Sequence, residues 1–414
     1  MKILYLAHRI PFPPNKGDKI RSFHQLKYLS ENHQLDLVCL ADNSDDLKYQ
    51  SDLEKICHRV AVFPLTPLLG KLRGILSLSR GNTISVHYFY QKNMQKVVDQ
   101  WLDETEYDAI ICFSSVMAEY LFRSSNRQVQ AKFSSAGQGA EKIPHQLLMD
   151  FCDVDSDKWA QYSRDAKLPL NIIYHLEQIR LLKYEKQVNQ QFDCSIFVTE
   201  NEKKLFTQLY PDAKHLAVIR NGVDFDFFSP DADFLKIEKK GFTLVFTGAM
   251  DYHANVAGVQ WFCHEIWPKI RQQLPDCQFY IVGSNPTPAV TELAALPGVT
   301  VTGFVDDIRS YYAMADICVI PLRLARGVQN KALEAMAMGK AVVTTAKVAS
   351  GVGAEPNKHL LVADEADDYV TLIMQLLSDK KYCQQIAESG QNFVRDCFHW
   401  GSNMAEFEKL LGED

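Results

Sequence analysis

The strongest constraint on the fold is an alternation of short apolar runs with amphipathic segments, which occurs twice along the chain. Residues 2–8 form an apolar run, an amphipathic segment follows at 20–32, and a second apolar run, QLDLVCL, begins at Gln34. Such short runs are typical of strands buried on both faces, and strands alternating with helices form parallel sheets covered by helices. Further runs, RVAVFPL, DAIICFS and CSIFVTE, extend the pattern and predict one doubly wound domain over residues 1–215.

The pattern changes at residue 216 and then restarts. Residues 216–240 contain the turn dipeptide Asn-Gly and the polar stretch IEKKG, and they predict an inter-domain linker. Residues 241–388 repeat the alternation and predict a second doubly wound domain, and the amphipathic residues 389–414 predict a terminal helix. The fold class is therefore α/β. Ligands bind beyond the carboxyl ends of such strands, so two such domains predict a cleft that holds two substrates.

Composition excludes several classes of protein. A length of 414 residues predicts two or three domains. A net charge of −7, from 44 Lys and Arg against 51 Asp and Glu, argues against general nucleic-acid binding. The longest apolar run falls short of a membrane span, and the first residues do not resemble a signal peptide. Ten scattered cysteines, none in a CxxC pair, predict buried thiols in a reducing cytoplasm and argue against a zinc site.

Three strands of the second domain end in glycine, at Gly248, Gly283 and Gly303. A glycine at the carboxyl end of a strand lets a ligand approach the backbone closely. Each glycine alone also fits a tight turn. Three in one domain favour a ligand-binding edge of the sheet.

Residues 320–345 combine a strand, a loop and a helix that begins near Asn330. Three cations surround this loop and its glycine: Arg323, Arg326 and Lys331 around Gly327. The amino end of a helix beside cations is an anion site, and Arg adds bidentate contacts to phosphate. The alternative is a solvated basic loop followed by a helix that exposes Glu334.

Four motifs carry a resemblance to a known family. GVQNKALEAMAMGKAVVTT resembles the donor-binding segment of GT-B glycosyltransferases of family 4, RNGVD their inter-domain loop, PFPPNKGDKIR their amino-terminal loop, and CFHWGSNMAEFEKLL their terminal helix. GDKIRSF, DVDSDKW and TGAMDYHAN are similar more narrowly to sugar transferases of bacterial exopolysaccharide clusters. The resemblance spans essentially the whole chain. It implies two Rossmann-like domains facing a central cleft, with residues 389–414 crossing back to the first domain.

The resemblance also implies a function. A nucleoside-diphosphate sugar would bind mainly to the second domain, and a saccharide or lipid-linked saccharide acceptor to the first. The implied transfer retains the anomeric configuration and needs no obligatory metal or other cofactor. Glu334 matches a residue that binds the donor ribose, and Phe304 and Val305 match a loop that packs on the nucleobase, although an ordinary turn explains those two equally well. We expect Lys331 and Glu334 to take part in catalysis.

The sequence departs from the family at two places. Arg326 stands where family members carry a first glutamate near the donor sugar, and GAMDYH lacks the usual Arg and Lys after the first strand of the second domain. The three cations at 323–331 are therefore expected to neutralise the diphosphate.

Two segments of the first domain are candidate binding sites. The amides of Gly17 and Asp18, before the first helix, could approach the diphosphate from across the cleft, or Asp18 could be a plain N-cap. In DFCDVDSDKW, Asp153 or Asp155 could orient or deprotonate an acceptor hydroxyl, whereas capping is the structural alternative. An EF-hand is excluded because its glycine and glutamate positions hold Lys158 and Arg164.

Residues 65–81 are rich in Leu, Lys and Arg and contain no acid, a composition that suits a helix on an anionic membrane surface. A core-packed helix is the alternative. We therefore expect a cytoplasmic protein that can contact the inner face of the membrane. Among the histidines, His8 and His253 are candidates for the cleft.

Two rival functions remain. A nucleotide-sugar epimerase of similar architecture would need acid and base groups near the sugar and no acceptor. A non-catalytic nucleotide-sugar-binding or membrane-binding module would tolerate loss of Lys331 or Glu334.

Overall fold

The computed structural model describes residues 1–14, 16–66, 70, 74, 81–134, 146–239, 241–325 and 327–412, without the side chain of Asp165. The chain forms two compact units, Met1–Arg220 with Gly401–Asp414, and Asn221–Trp400. Each unit is a parallel sheet covered by helices, as the repeated alternation predicts.

The first unit contains a seven-stranded sheet in the order β3-β2-β1-β4-β5-β6-β7, with all neighbours parallel. The strands are β1 (Lys2–Ala7), β2 (Gln34–Ala41), β3 (Arg59–Pro64), β4 (Ala109–Phe113), β5 (Gln146–Cys152), β6 (Cys194–Phe197) and β7 (Leu216–Val218). Nearly every residue of β1, β2 and β4 is buried, because helices cover both faces. The chain reverses its direction across the sheet between β1 and β4, the point at which ligands bind in such sheets.

Nine helices of this unit are described. They are α1 (Gly17–Leu29), α2 (Gln50–Leu53), α3 (Ile84–Phe89), α4 (Lys92–Glu104), α5 (Ala118–Phe122), α6 (Arg127–Phe133), α7 (Asp155–Asp165), α8 (Leu170–Gln191) and α9 (Glu200–Leu209). Short 3₁₀ helices cover Ser44–Tyr49 and Ser115–Met117.

The second unit contains a six-stranded parallel sheet in the order β10-β9-β8-β11-β12-β13. The strands are β8 (Thr243–Thr247), β9 (Gln278–Val282), β10 (Val299–Gly303), β11 (Ile317–Ile320), β12 (Ala341–Thr344) and β13 (Leu361–Val362). The three strands with a glycine at their carboxyl ends, β8 with Gly248, β9 with Gly283 and β10 with Gly303, are therefore adjacent in the sheet.

Eight helices of the second unit surround its sheet. They are α10 (His253–Trp261), α11 (Trp267–Gln273), α12 (Pro288–Thr291), α13 (Arg309–Met314), α14 (Asn330–Ala337), α15 (Ala346–Val352), α16 (Ala366–Ser378) and α17 (Lys380–Cys397). A π-helical turn, Phe262–Ile266, links α10 to α11, and a 3₁₀ helix covers Glu292–Ala295. The last helix is α18 (Trp400–Lys409).

The boundaries between the units lie five to twelve residues beyond the predicted ones. We predicted them after residues 215 and 388, and the structure places them after Arg220 and Trp400. The backbone amide of Val223 donates to Phe398 O over 2.8 Å, which ties the residues before α18 to the second unit. Glu408 on α18 accepts from Tyr28 Oη over 2.9 Å, so the end of the chain belongs to the first unit.

A buried ion pair fixes α1 against the sheet of the first unit. Arg21 Nε donates to Asp150 Oδ2 over 2.8 Å, and both side chains are at most 1% exposed. Gln25 Nε2 donates to the same oxygen over 2.6 Å, and Arg21 Nη1 donates to Ile219 O over 2.7 Å. These bonds orient the amino end of α1, which carries Gly17 and Asp18.

We predict that Arg21→Met strongly destabilises the first unit, because it leaves the Asp150 carboxylate buried without its partner. Removing one partner of a buried pair costs about 3 kcal/mol or more. The matched control is Lys55→Met, which removes an exposed pair with Asp52 and should cost less than about 1 kcal/mol. Thermal and urea unfolding would measure both, and equal losses would contradict the prediction.

Candidate active site

The carboxyl ends of β8, β9 and β10 pack backbone against backbone. Gly248 N donates to Val282 O over 2.9 Å, and Gly283 N donates to Gly303 O over 3.2 Å. A Cβ at residue 283 would overlap the carbonyl oxygen of Gly248, and both of these glycines have positive φ, +149° and +152°. Close packing of the backbone is thus the reason for Gly283, in addition to any ligand contact.

Gly248 makes room for a lysine. A Cβ at this position would lie 2.8 Å from Lys331 Nζ and 2.7 Å from Asn255 Nδ2. In the structure Lys331 Nζ donates to Asn255 Oδ1 over 2.5 Å and lies 4.4 Å from the centroid of the Phe246 ring. Because glycine has no side chain, residue 248 gives the Lys331 ammonium room at the carboxyl end of β8.

Lys331 belongs to the first turn of α14, where backbone amides and the helix dipole also favour anions. Gln329, in the N-cap position, makes no side-chain cap, and no acid lies in this turn. Asn330 Oδ1 is buried and has no hydrogen-bond partner among the described residues. Burial lowers the pKa of Lys331 to about 7, although the Glu334 carboxylate raises it.

Glu334 lies one turn later on α14 and is held by a chain of hydroxyl groups. Tyr312 Oη donates to Glu334 Oε2 over 2.8 Å, and Thr247 Oγ1 lies 2.7 Å from Tyr312 Oη. Because the tyrosine donates to the carboxylate, the threonine must donate to the tyrosine. Burial raises the pKa of Glu334, whereas the bond from Tyr312 and the charge of Lys331 lower it.

The structure brings Lys331, Glu334, Asn330 and Gly248 together, but it does not add Arg323 to them. The Arg323 side chain is exposed and lies over the Trp261 ring, 5.3 Å from its centroid. Trp261 is six residues beyond Asn255 on α10, about 9 Å along a helix axis. The cation–π contact thus places the Arg323 guanidinium at the Trp261 ring.

The loop between Arg323 and α14 contains two further predicted residues. Arg326 lies outside the described residues. Gly327 has φ +58°, and its carbonyl packs against Gly351 closely enough to exclude a Cβ there. The contacts we predicted for this loop stay predictions.

The loop after β10 presents an aromatic side chain. Gly303 ends the strand with φ +70°, Phe304 is 75% exposed, and Val305 packs against the core. Phe304 and Gly248 thus follow strands that are separated only by β9 at the same edge of the sheet.

In the first unit, α1 begins at Gly17, so Asp18 is its second residue and the alternative of an N-cap is wrong. The Asp18 carboxylate accepts from Arg9 Nη1 over 2.7 Å, and His8 Nε2 lies 3.5 Å away. Burial opposes ionisation of Asp18, but the bonds and charges of His8 and Arg9 hold its pKa well below the usual range. This cluster lies at the reversal point between β1 and β4, since His8 also contacts Phe113 O at 3.4 Å.

Asp153 follows β5 and Asp155 begins α7, so both lie beyond the carboxyl end of a strand. The start of α7 is anchored by Glu185, which accepts from Ser156 N over 3.0 Å and from Ser156 Oγ over 2.5 Å. Burial raises the pKa of Glu185 to about 8 against the effect of these bonds. Within the described residues, no group of three or more His, Cys, Asp or Glu side chains could hold a metal ion.

Two side chains of the site carried little signal in the sequence. Asn255 lies in HANVAG and Tyr312 in RSYYAM, where a polar helical residue and a core aromatic are ordinary. Their partners, Lys331 and Glu334, lie 76 and 22 residues away, so only the fold brings them together.

Comparison with known proteins identifies the activity. Residues 241–379 match the family model described as Glycosyl transferases group 1. The chain superposes over its full length on HepE of Anabaena in complex with UDP, at a TM-score of 0.67 and 17% identity. It also superposes over 99% of its length on sucrose-phosphate synthase of Thermosynechococcus elongatus, at 0.68 and 17%.

The chain is a GT-B glycosyltransferase. A protein of the cps region of Klebsiella pneumoniae is 21% identical over 95% of this glycosyltransferase and 96% of its own length. A GDP-mannose-dependent phosphatidylinositol monomannoside mannosyltransferase of Mycolicibacterium smegmatis is 22% identical over 55% of the chain and 64% of its own length.

The glycosyltransferase has no described helix of the length and apolarity needed to cross a membrane. Residues 65–81, for which we predicted membrane contact, lie outside the described residues except for Leu65, Thr66, Gly70, Gly74 and Gly81. That contact stays a prediction.

We predict that Glu185→Gln makes the stability of the first unit of the glycosyltransferase less dependent on pH between about 4.5 and 8. The pKa of Glu185 is about 8 in the folded protein and 4.5 for an ordinary glutamate. Between pH 4.5 and pH 8 the folded state therefore holds one proton more than the unfolded state. Stability is then lost as pH rises through this window, and a neutral glutamine avoids that loss. The pH dependence of the thermal midpoint measures the effect. Glu106→Gln, at an exposed position, is the control, and parallel curves for wild type and Glu185→Gln would contradict the prediction.

Proposed function

We propose that the second unit binds a nucleoside-diphosphate sugar, with the diphosphate at Lys331 and the amino end of α14. The observation that supports this most directly is the position of the Lys331 ammonium, held by Asn255 over a glycine at the end of β8. An anion there would meet a cation and backbone amides together. The structural neighbour crystallised with UDP, and the mycobacterial relative that uses GDP-mannose, favour uridine or guanosine diphosphate sugars.

Glycosyl transfer needs the leaving diphosphate to be stabilised as its bond to the anomeric carbon breaks. Negative charge grows on the oxygen that departs, and a protonated Lys331 beside the α14 amides stabilises it without rearrangement. One such preorganised group is typically worth about 3 kcal/mol in the transition state. We therefore assign Lys331 to leaving-group stabilisation.

Glu334 would orient the donor by accepting hydrogen bonds from ribose hydroxyls. Its Oε2 is already held by Tyr312, so the carboxylate keeps one orientation before the donor binds. Phe304, exposed at the same edge, offers a face on which the nucleobase can stack, with Val305 beneath the turn.

We assign the acceptor to the first unit, as a saccharide or a lipid-linked saccharide. Asp153 or Asp155, beyond β5, would orient or deprotonate the acceptor hydroxyl, and the transfer would retain the anomeric configuration without an obligatory metal. The Klebsiella relative encoded in a cps region supports a role in exopolysaccharide assembly. Contact with the inner membrane surface through residues 65–81 would suit a lipid-linked acceptor.

We predict that Lys331→Met lowers kcat/KM for donor hydrolysis or transfer by about 100-fold or more, because it removes the leaving-group cation. Glu334→Gln should weaken donor binding. The measurement is turnover of uridine, guanosine and adenosine diphosphate sugars by the full chain, with and without saccharide acceptors. Lys347→Met, at an exposed lysine on α15, is the matched control and should keep wild-type rates.

Full activity in Lys331→Met, with correct folding, would refute the assignment. Exchange of isotope at a sugar carbon without any acceptor would identify an epimerase instead.

We predict that binding of a nucleotide sugar takes up a proton above neutral pH. The pKa of Lys331 in the free protein is lowered to about 7, and a bound diphosphate raises it. The affinity should therefore fall by up to about tenfold per pH unit as pH rises above this value. Calorimetry in buffers of different ionisation enthalpy measures the uptake. Lys347→Met should keep it, whereas an affinity that does not change above neutral pH would contradict the prediction.

A further inference from the structure

One helical hairpin of the first unit carries a concentration of exposed apolar side chains. In the described part of the chain, half of the large apolar side chains that are exposed lie on α7, α8 and the turn between them. They are Tyr162, Leu168, Leu170, Ile172, Leu176 and Ile179, with exposures from 38% to 71%. Such a concentration of exposed apolar side chains on one hairpin is unusual, because large exposed apolar surfaces mark interaction sites.

Helical periodicity shows that this apolar surface is not the core face of α8. Ile172, Leu176 and Ile179 follow a spacing of four and three, so they lie on one side of the helix. The core side is buried instead through Leu181 and Val188. The helix therefore has two apolar sides, of which only one is buried.

Two exposed lysines lie beside the exposed stripe. Over α7, α8 and the turn between them, residues 155–191 contain six Lys and Arg and five Asp and Glu. Two of the five acids, Glu177 and Glu185, are buried. Lys183 continues the stripe one turn beyond Ile179, and Lys167 lies in the turn beside Leu168, both exposed.

Aromatic rings lie where the two helices meet. The ring centroids of Trp159 and Tyr174 are 5.2 Å apart, and those of Trp159 and Tyr162 are 5.8 Å apart. Trp and Tyr favour the boundary between lipid headgroups and acyl chains, because one end of each ring is polar.

We propose that the α7–α8 hairpin docks on an anionic lipid bilayer, with Ile172, Leu176 and Ile179 inserted among the headgroups and Lys167 and Lys183 on lipid phosphates. An apolar stripe with basic neighbours and interfacial aromatics is the combination that such surfaces bind. A second copy of the chain fits less well, because a symmetric contact would bring the exposed lysines of both copies together. The inference goes beyond glycosyl transfer and does not depend on the donor site.

Vesicle flotation of the full chain without donor or acceptor tests this proposal. We expect binding to vesicles of equimolar phosphatidylcholine and phosphatidylglycerol, weakening with salt, and little binding to phosphatidylcholine alone. The triple variant Ile172→Gln, Leu176→Gln, Ile179→Gln should lower the partition by about tenfold or more. The matched control is Leu235→Gln, which replaces an apolar side chain that is 78% exposed in the second unit.

Two further variants keep the test decisive if the triple variant folds poorly. Ile179→Gln alone should give a smaller loss, and Lys167→Glu with Lys183→Glu should abolish the preference for anionic vesicles. Wild-type partition in these variants, or no binding by the wild type, would overturn the proposal. Sedimentation velocity that shows a dimer lost in the same variants, without vesicle binding, would overturn it in favour of a second copy.

Discussion

The candidate site depends on one steric constraint, the absence of a side chain at the end of β8. A Cβ at residue 248 would lie only 2.8 Å from Lys331 Nζ and 2.7 Å from Asn255 Nδ2, too close for either side chain to keep its place. Gly283 in turn allows the backbone of Gly248 to lie directly against the neighbouring strand. Two glycines therefore place an ammonium at the edge where a parallel sheet receives its ligands.

The electrostatics of this edge differ from those of the first unit. Around Lys331 the hydrogen-bond partner is a neutral amide and burial lowers the pKa, although the Glu334 carboxylate one turn away on α14 opposes that shift. Around Asp18 the carboxylate contacts His8 and accepts from Arg9, which also pairs with Asp42. The second unit thus presents a buried cation near the amino end of a helix, whereas the first unit presents a carboxylate that already has a cationic partner.

Much of the fold could be predicted from the sequence, because strand and helix periodicities are local. The runs KILYLAH, LVFTG and YIVG are strands in the structure, and the helix that carries Lys331 and Glu334 begins at Asn330 as expected. The boundary at residue 400 was missed because the bonds that decide it, such as Val223 N to Phe398 O, join residues 175 positions apart.

The site was less predictable than the fold. Spacing alone suggested that Arg323 joins Lys331, but the contact with Trp261 depends on how α10 packs beside the loop. Likewise, nothing local identifies Asn255 as the partner of Lys331 or Tyr312 as the partner of Glu334. Sequence pattern located the helix and its charged residues, whereas their hydrogen-bond partners and the burial that shifts their pKa values required the tertiary structure.

The central claim is that Lys331 and the amino end of α14 hold the donor diphosphate. A crystal structure of the full chain with a bound uridine or guanosine diphosphate sugar tests it most directly. The account predicts diphosphate oxygens within hydrogen-bonding distance of Lys331 Nζ and of the first amides of α14. A diphosphate bound in contact with Arg323 and remote from Lys331 would contradict it.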